Sequence, residues 1–199
     1  MPQDSIDTRI RLIVGLGNPG PEYDGTRHNL GADAVHLLAD DAGLRLTRSK
    51  VGGLAADGRL APGGPAVTLF VPGGYMNTSG GPVQRALRFY KVPLEQLVVV
   101  HDDLDLQPWT VRLKRGGGPG GHNGLRDIIA RCGGREFLRV RIGIGRPPGR
   151  QDPARFVLAR IPAAQRDDAV AAVRWAAEAT ADLVATDLEA AQNIHHARA

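Results

Sequence analysis

The chain has 199 residues, 42% of them hydrophobic, a formal net charge of +4 and one cysteine. That length suits one domain with a substantial core, the lone Cys132 rules out an internal disulfide and suits a reducing cytoplasm, and no apolar run is long enough to span a bilayer. The opening MPQDSIDTR carries acids and no apolar stretch, which argues against a signal peptide; residues 1–9 are expected to be flexible.

The charge is unevenly spread. Residues 112–150 hold ten Lys/Arg against Asp127 and Glu136, a local +8, which leaves −4 for the rest of the chain. Such asymmetry points to a polyanionic partner, although a solvated arginine face would give the same count.

In chain order, residues 10–16 predict a buried strand. A turn rich in Gly and Pro follows, and then a helix from Thr26 to about Ala42. Gly15-Leu16-Gly17-Asn18-Pro19-Gly20 fits the G-x-G-x-x-G dinucleotide fingerprint. The context does not fit: Pro19 and Pro21 stand where a phosphate-binding helix would present N–H groups, and Asp40 and Asp41 fall inside the helical stretch instead of closing a second strand. The segment reads as a turn.

Leu44 to Leu60 predicts strand material broken by turns at Gly52-Gly53 and Asp57-Gly58. Val67–Val71 predicts a third strand, and a helix to Tyr90 follows with Thr78 or Ser79 as its N-cap. Leu97-Val98-Val99-Val100 predicts a strand buried on both faces, ending on His101-Asp102-Asp103-Leu104-Asp105. Trp109–Arg115 and Phe137–Ile144 predict two more strands, the latter with Arg139 and Arg141 on one face. Between them lie the glycine run 116–121 and a helix from near Asn123. From Pro162 an amphipathic helix presents Val170, Val173, Ala177 and Val184, and a short turn lies near Leu188–Gln192. The expectation is one α/β domain over residues 1–199, its central mixed, mostly parallel, twisted sheet flanked by helices on both faces.

Polar side chains collect at strand ends: Asn18, His28, Asn77, Asp102 and Asn123. A carboxylate beside an imidazole fixes the tautomer that takes a proton from water or a hydroxyl, and Asn side chains donate to an oxyanion without adding charge. Together they suggest hydrolysis of an ester or amide by activated water. Singly, each has an ordinary structural role: a helix-start His, a loop-bonding Asp, a capping or turn Asn. Asp102, Asp103 and Asp105 have the chemistry to hold Mg²⁺, but no H-x-x-x-H or C-x-x-C spacing marks a metal site, and Ser79 lacks a nucleophile elbow.

VGLGNPGPEYDGTRHN, PGGYMNTSG, HDDLDL, GGGPGGHNGLRDI and FLRVRIGIGRP, in that order and spacing, resemble the bacterial peptidyl-tRNA hydrolases from about Leu12 to the terminal helix. The resemblance implies a monomeric, metal-independent, cytoplasmic hydrolase without cofactor, cleaving the ester between a peptide's terminal carbonyl and the 3′-terminal ribose of tRNA. By the same resemblance His28 is the general base, Asp102 supports it and Asn18 contacts the peptide. Tyr23, Tyr75, Met76, Asn77, His122 and Asn123 are expected substrate or tRNA contacts. Lys114, Arg115 and Arg141 are expected at phosphates, with Arg139 on the face of Arg141. The glycine run would let a lid move. Two positions depart from the pattern: Gly74, where Thr is common, and Trp109, where Gly is often found. A non-catalytic RNA-binding relative is the competing reading.

Overall fold

Leu12–Gly15 (β1) is fully buried at the middle of the sheet, as its run of apolar side chains requires. The computed structural model describes residues 9–198; of the stretch expected to be flexible, residues 1–8 lie outside the described residues. The other strands are Thr47–Ser49 (β2), Gly53–Arg59 (β3), Ala66–Pro72 (β4), Leu97–Asp103 (β5), Val111–Arg115 (β6) and Leu138–Gly143 (β7). Their spatial order is β2-β3-β4-β1-β5-β7-β6. The β4-β1-β5-β7 centre is parallel, and β2, β3 and β6 run antiparallel to their neighbours. Because β1 lies between β4 and β5, successive crossovers leave it in opposite directions, and the carboxyl ends of these strands open at the switch point where α/β sheets place ligands.

Alternation along each strand divides two cores. Ile13, Leu69, Val98, Val100, Val140 and Ile142 face Leu30–Asp41 (α1) and Arg166–Ala185 (α5). Leu12, Val14, Phe70, Leu97 and Val99 face Gly80–Phe89 (α2) and Asn123–Cys132 (α3). Helices therefore cover both faces, as the sequence predicts. Two glycines let α1 sit directly on the strand ends: a Cβ at Gly31 would lie 2.2 Å from the Val100 carbonyl oxygen, and one at Gly15 would lie 2.5 Å from Gly31 O. That close approach fixes the turn before α1, which carries His28.

Several expectations need correction. The Thr26–Ala42 helix is a 3-10 turn at Arg27–Asn29 followed by α1. Asp57-Gly58 is no turn; both residues lie inside β3, paired with Thr68 and Val67, and the Leu44 side chain fills the space a Gly58 Cβ would need. Neither Thr78 nor Ser79 caps α2 through its side chain. Each hydroxyl bonds back to its own turn, and Asp127 of α3 accepts from the Gly80 N–H at 2.7 Å instead. Val170 is 67% exposed on α5. Pro153–Leu158 (α4), unforeseen, follows an Asp152 side-chain cap. Leu188–His195 is a helix (α6), capped by Asp187.

Helix α6 covers the outer edge of β6. Gln192 Nε2 donates to Leu113 O and the Leu113 N–H donates to His196 Nε2, each at 2.9 Å. Two side chains one helical turn apart thus replace a missing strand and blunt an open edge. His196 accepts only when neutral; burial first, then Arg112 and Arg141, hold its pKa below the ordinary value. An unfolded histidine titrates near 6.5, so this contribution is complete above that pH and is lost as pH falls through the lowered folded value. The expected cost of acidification from pH 7 to 5 is one hydrogen bond, about 0.5–1.5 kcal/mol, or a few degrees in Tm. Melting curves of wild type and His196→Gln at both pH values check this: the acid-induced loss should be smaller in the variant, and equal losses would refute it.

Candidate active site

His28 ends the first loop where α1 begins, and Asp102 sits at the carboxyl end of β5. Both are buried, 7% and 2% exposed. The His28 Nδ1 lies 3.0 Å from each Asp102 carboxylate oxygen, so Nδ1–H donates and Nε2 keeps its lone pair for a proton. The same carboxylate meets a second imidazole: His122 Nε2 is 3.0 Å from Asp102 Oδ1. The tautomer of His122 is fixed from behind, because its Nδ1 caps α3 by accepting from the Leu125 N–H. Asp102 therefore accepts from both rings. Burial pushes its carboxyl pKa up, but His28 and His122 outweigh that, and the net direction is down; it is ionised.

A third histidine backs the pair. His101 Nδ1–H donates to the Asp102 carbonyl oxygen at 2.7 Å, and its ring meets that of His122 edge-on at 5.1 Å. Burial, then the neighbouring His122, pulls its pKa well below the ordinary value, so it stays neutral.

Asn18 is placed by a reciprocal pair with Asn29: the Asn18 N–H donates to Asn29 Oδ1 (2.8 Å) and Asn29 Nδ2 donates to Asn18 O (3.0 Å). Asn18 Oδ1 accepts from the Met76 N–H at 2.7 Å, which leaves Nδ2 as its donating end. The Pro-rich turn between β1 and α1 thus presents an amide donor. Arg27 braces the same loop from the other side, lying over the Phe156 ring at 4.1 Å and donating to Gln165 Oε1.

Two clefts open here. One, of about 360 Å³, is lined by His28, Asp102, His122, Lys114 and Arg141, with α4 forming one wall. The other, a groove of about 990 Å³, runs from Asn18 past Gly73, Gly74 and Arg85.

The sequence profile of the peptidyl-tRNA hydrolase family matches residues 12–199. The chain belongs to the peptidyl-tRNA hydrolase family. It is 50% identical to the peptidyl-tRNA hydrolase of Kineococcus radiotolerans, over 94% of this chain and 98% of that one, and 51% identical to that of Mycolicibacterium smegmatis, over 94% and 97%. The crystal structure of peptidyl-tRNA hydrolase from Acinetobacter baumannii superposes with a TM-score of 0.88 at 41% identity, covering 94% of this chain and 95% of that one.

Of the residues the family resemblance singles out, His28, Asp102 and His122 meet as described, and Asn18 lines the larger groove. Tyr23 and Tyr75 form an edge-to-face pair with centroids 6.3 Å apart, and Tyr75 is 57% exposed. Asn77 is exposed beside the buried Met76, and Asn123 is exposed with Oδ1 accepting from Arg126. Lys114 and Arg141 line the smaller cleft; burial and then Arg141 lower the Lys114 pKa. Arg115 is not brought there: it alternates to the other face of β6 and donates to Glu95 O at 3.4 Å. Arg139 shares the Arg141 face but is 1% exposed, and both its terminal nitrogens donate to backbone carbonyls within the protein. Nor do Asp102, Asp103 and Asp105 converge: Asp103 pairs with Arg141 and Asp105 with Arg146. Among the described residues the one grouping with metal-ligand atom types is His28, Asp102 and His122, and hydrogen bonds already account for its geometry.

Both family departures are explicable locally. Trp109 has φ +66°, a left-handed conformation that favours glycine; here a tryptophan packed against the core takes it. Gly74 abuts Thr78, whose Oγ1 would lie 2.8 Å from an added Cβ, so the groove is wider there by one side chain. What the sequence did not reveal was that His122 is the second imidazole on Asp102 and that Asn29 is the lock on Asn18. The H-N pairs in TRHN and GGHN were the available signal for both.

Proposed function

We propose that this chain hydrolyses the ester joining a peptide's C-terminal carbonyl to the 3′-terminal ribose of tRNA, with His28 as the general base, and so returns tRNA to translation. The carrying observation is the placement of His28 Nδ1 3.0 Å from both Asp102 carboxylate oxygens, which favours the tautomer with its proton on Nδ1. With Nδ1–H held on an ionised, buried carboxylate, Nε2 takes a proton from water as the water attacks the carbonyl carbon. The developing imidazolium then sits against Asp102. Collapse of the tetrahedral intermediate breaks the bond to the ribose 3′-oxygen, and His28 returns its proton to that oxygen. The products are a peptide carboxylic acid and a free 3′-hydroxyl.

Asn18 Nδ2 is the side-chain donor for the substrate peptide or its carbonyl oxygen. The groove beyond Asn18 suits the peptide, while Lys114 and Arg141 suit phosphates of the acceptor end, giving salt-dependent binding with little sequence preference. No step here requires a metal. On this reading the protein acts as a monomer in the cytoplasm, and among the described residues no helix is long and apolar enough to cross a membrane.

Incubation of an N-acetylated aminoacyl-tRNA with the protein and a chelator tests the reading. Release of the N-acetyl amino acid, weakening steeply as salt rises, is expected. Binding of the tRNA with its ester left intact would make the chain a binding relative instead.

A further inference from the structure

Among the described residues, Arg139 is a buried cation with no carboxylate partner. Its guanidinium donates to the carbonyl oxygens of Gly118, at 2.6 Å, and Gly117, and lies over the Phe137 ring at 4.8 Å. Its Nε has no hydrogen-bond partner among the described residues. Burial, then Arg141, lowers the pKa to about 10, so it remains charged at neutral pH. Holding a charge away from water is costly, and an apolar side chain would pack in the same space without that cost. What arginine adds is a planar fork that spans two successive carbonyls.

Those carbonyls belong to a loop with few other attachments. Gly116, Gly117, Gly120 and Gly121 all have positive φ, so the loop's own backbone is easily deformed. Its backbone ties are Gly116 N–H to Phe137 O and His122 N–H to Pro119 O. Immediately beyond it come His122, on Asp102, and Asn123. We propose that Arg139 is a positioning residue for the hydrolysis: its guanidinium fastens Gly117 and Gly118 to β7 and thereby sets where His122 and Asn123 enter the site. The proposal rests on the hydrolase reading above. It differs from a phosphate contact, because both terminal nitrogens of Arg139 already donate to Gly117 and Gly118 and its Nε is buried.

The test compares Arg139→Met and Arg139→Lys with wild type in three readouts: steady-state kinetics on N-acetylated aminoacyl-tRNA, the salt dependence of kcat/KM, and amide hydrogen exchange. In Arg139→Met, kcat should fall about 10- to 100-fold, the size of loss a small misplacement produces, with KM within about threefold and an unchanged salt slope. Exchange at residues 118–122 should accelerate about tenfold or more while β7 keeps its protection. Arg139→Lys keeps the charge but lacks the planar fork, and should recover part of the rate. A raised KM with unchanged kcat and a shallower salt slope would make Arg139 a phosphate contact. Faster loop exchange with kcat intact would make it a structural tie only. If Arg139→Met does not fold, the same split in Arg139→Lys decides. A wild type that cleaves nothing sinks the hydrolase reading, and that result is separate from the exchange measurement.

Discussion

Replacing His28 by alanine is expected to lower kcat for an N-acetylated aminoacyl-tRNA by about 10²- to 10⁴-fold, the range a positioned general base supplies, while tRNA affinity stays within about threefold, since Lys114 and Arg141 are the proposed phosphate contacts. The asymmetry follows from the division of labour in the site. Lys114 and Arg141, which suit phosphates, project from β6 and β7; His28 comes from the loop between β1 and α1, and its ring hydrogen-bonds Asp102. Alanine deletes the proton acceptor and leaves Asp102 with His122 as its remaining donor, so the carboxylate is not orphaned and the fold should persist. Single-turnover hydrolysis and filter binding on one preparation check both halves. Equal losses of rate and affinity would mean that His28 holds substrate and does not take the proton.

Much of this architecture can be read from the sequence because period-two alternation and runs of β-branched residues are local signals. Leu97–Val100 and the Leu138–Ile142 alternation each give a strand, and their partition into two cores gives helices on both faces. The misreadings occur where a distant partner decides. Asp57-Gly58 has turn chemistry, yet pairing with Thr68 and Val67 keeps it extended. Ser79 has N-cap chemistry, but Asp127 reaches Gly80 first. Arg139 looks like a binding cation by alternation, and only the path of the glycine loop reveals that it is spent on carbonyls. For the site, a His and an Asp at strand ends suggest a base and its support. That one carboxylate serves two imidazoles depends on the entry of α3: the H-N pair in GGHN marks His122, but only the packing of that helix brings its ring to Asp102.

That shared carboxylate makes the second substitution informative. Asp102→Asn is isosteric and should leave the sheet intact, yet His28 Nδ1 lies 3.0 Å from both oxygens while His122 reaches Oδ1, so an amide with its oxygen at Oδ1 turns its NH₂ end towards the His28 ring N–H. His122 is pinned by the Leu125 N–H on its Nδ1 and can only donate towards residue 102, so it takes the amide oxygen. The amide nitrogen then faces His28 Nδ1 and favours the tautomer with its proton on Nε2, where the base must be empty. A reversed tautomer in a hydrolase costs about 10⁴-fold in kcat in the best-studied serine proteases; a loss of about 10³- to 10⁴-fold is expected here, with KM little changed. Single-turnover rates and KM of wild type and Asp102→Asn on N-acetylated aminoacyl-tRNA measure this. A modest loss would reduce Asp102 to a packing role and remove the physical basis for His28 as the base.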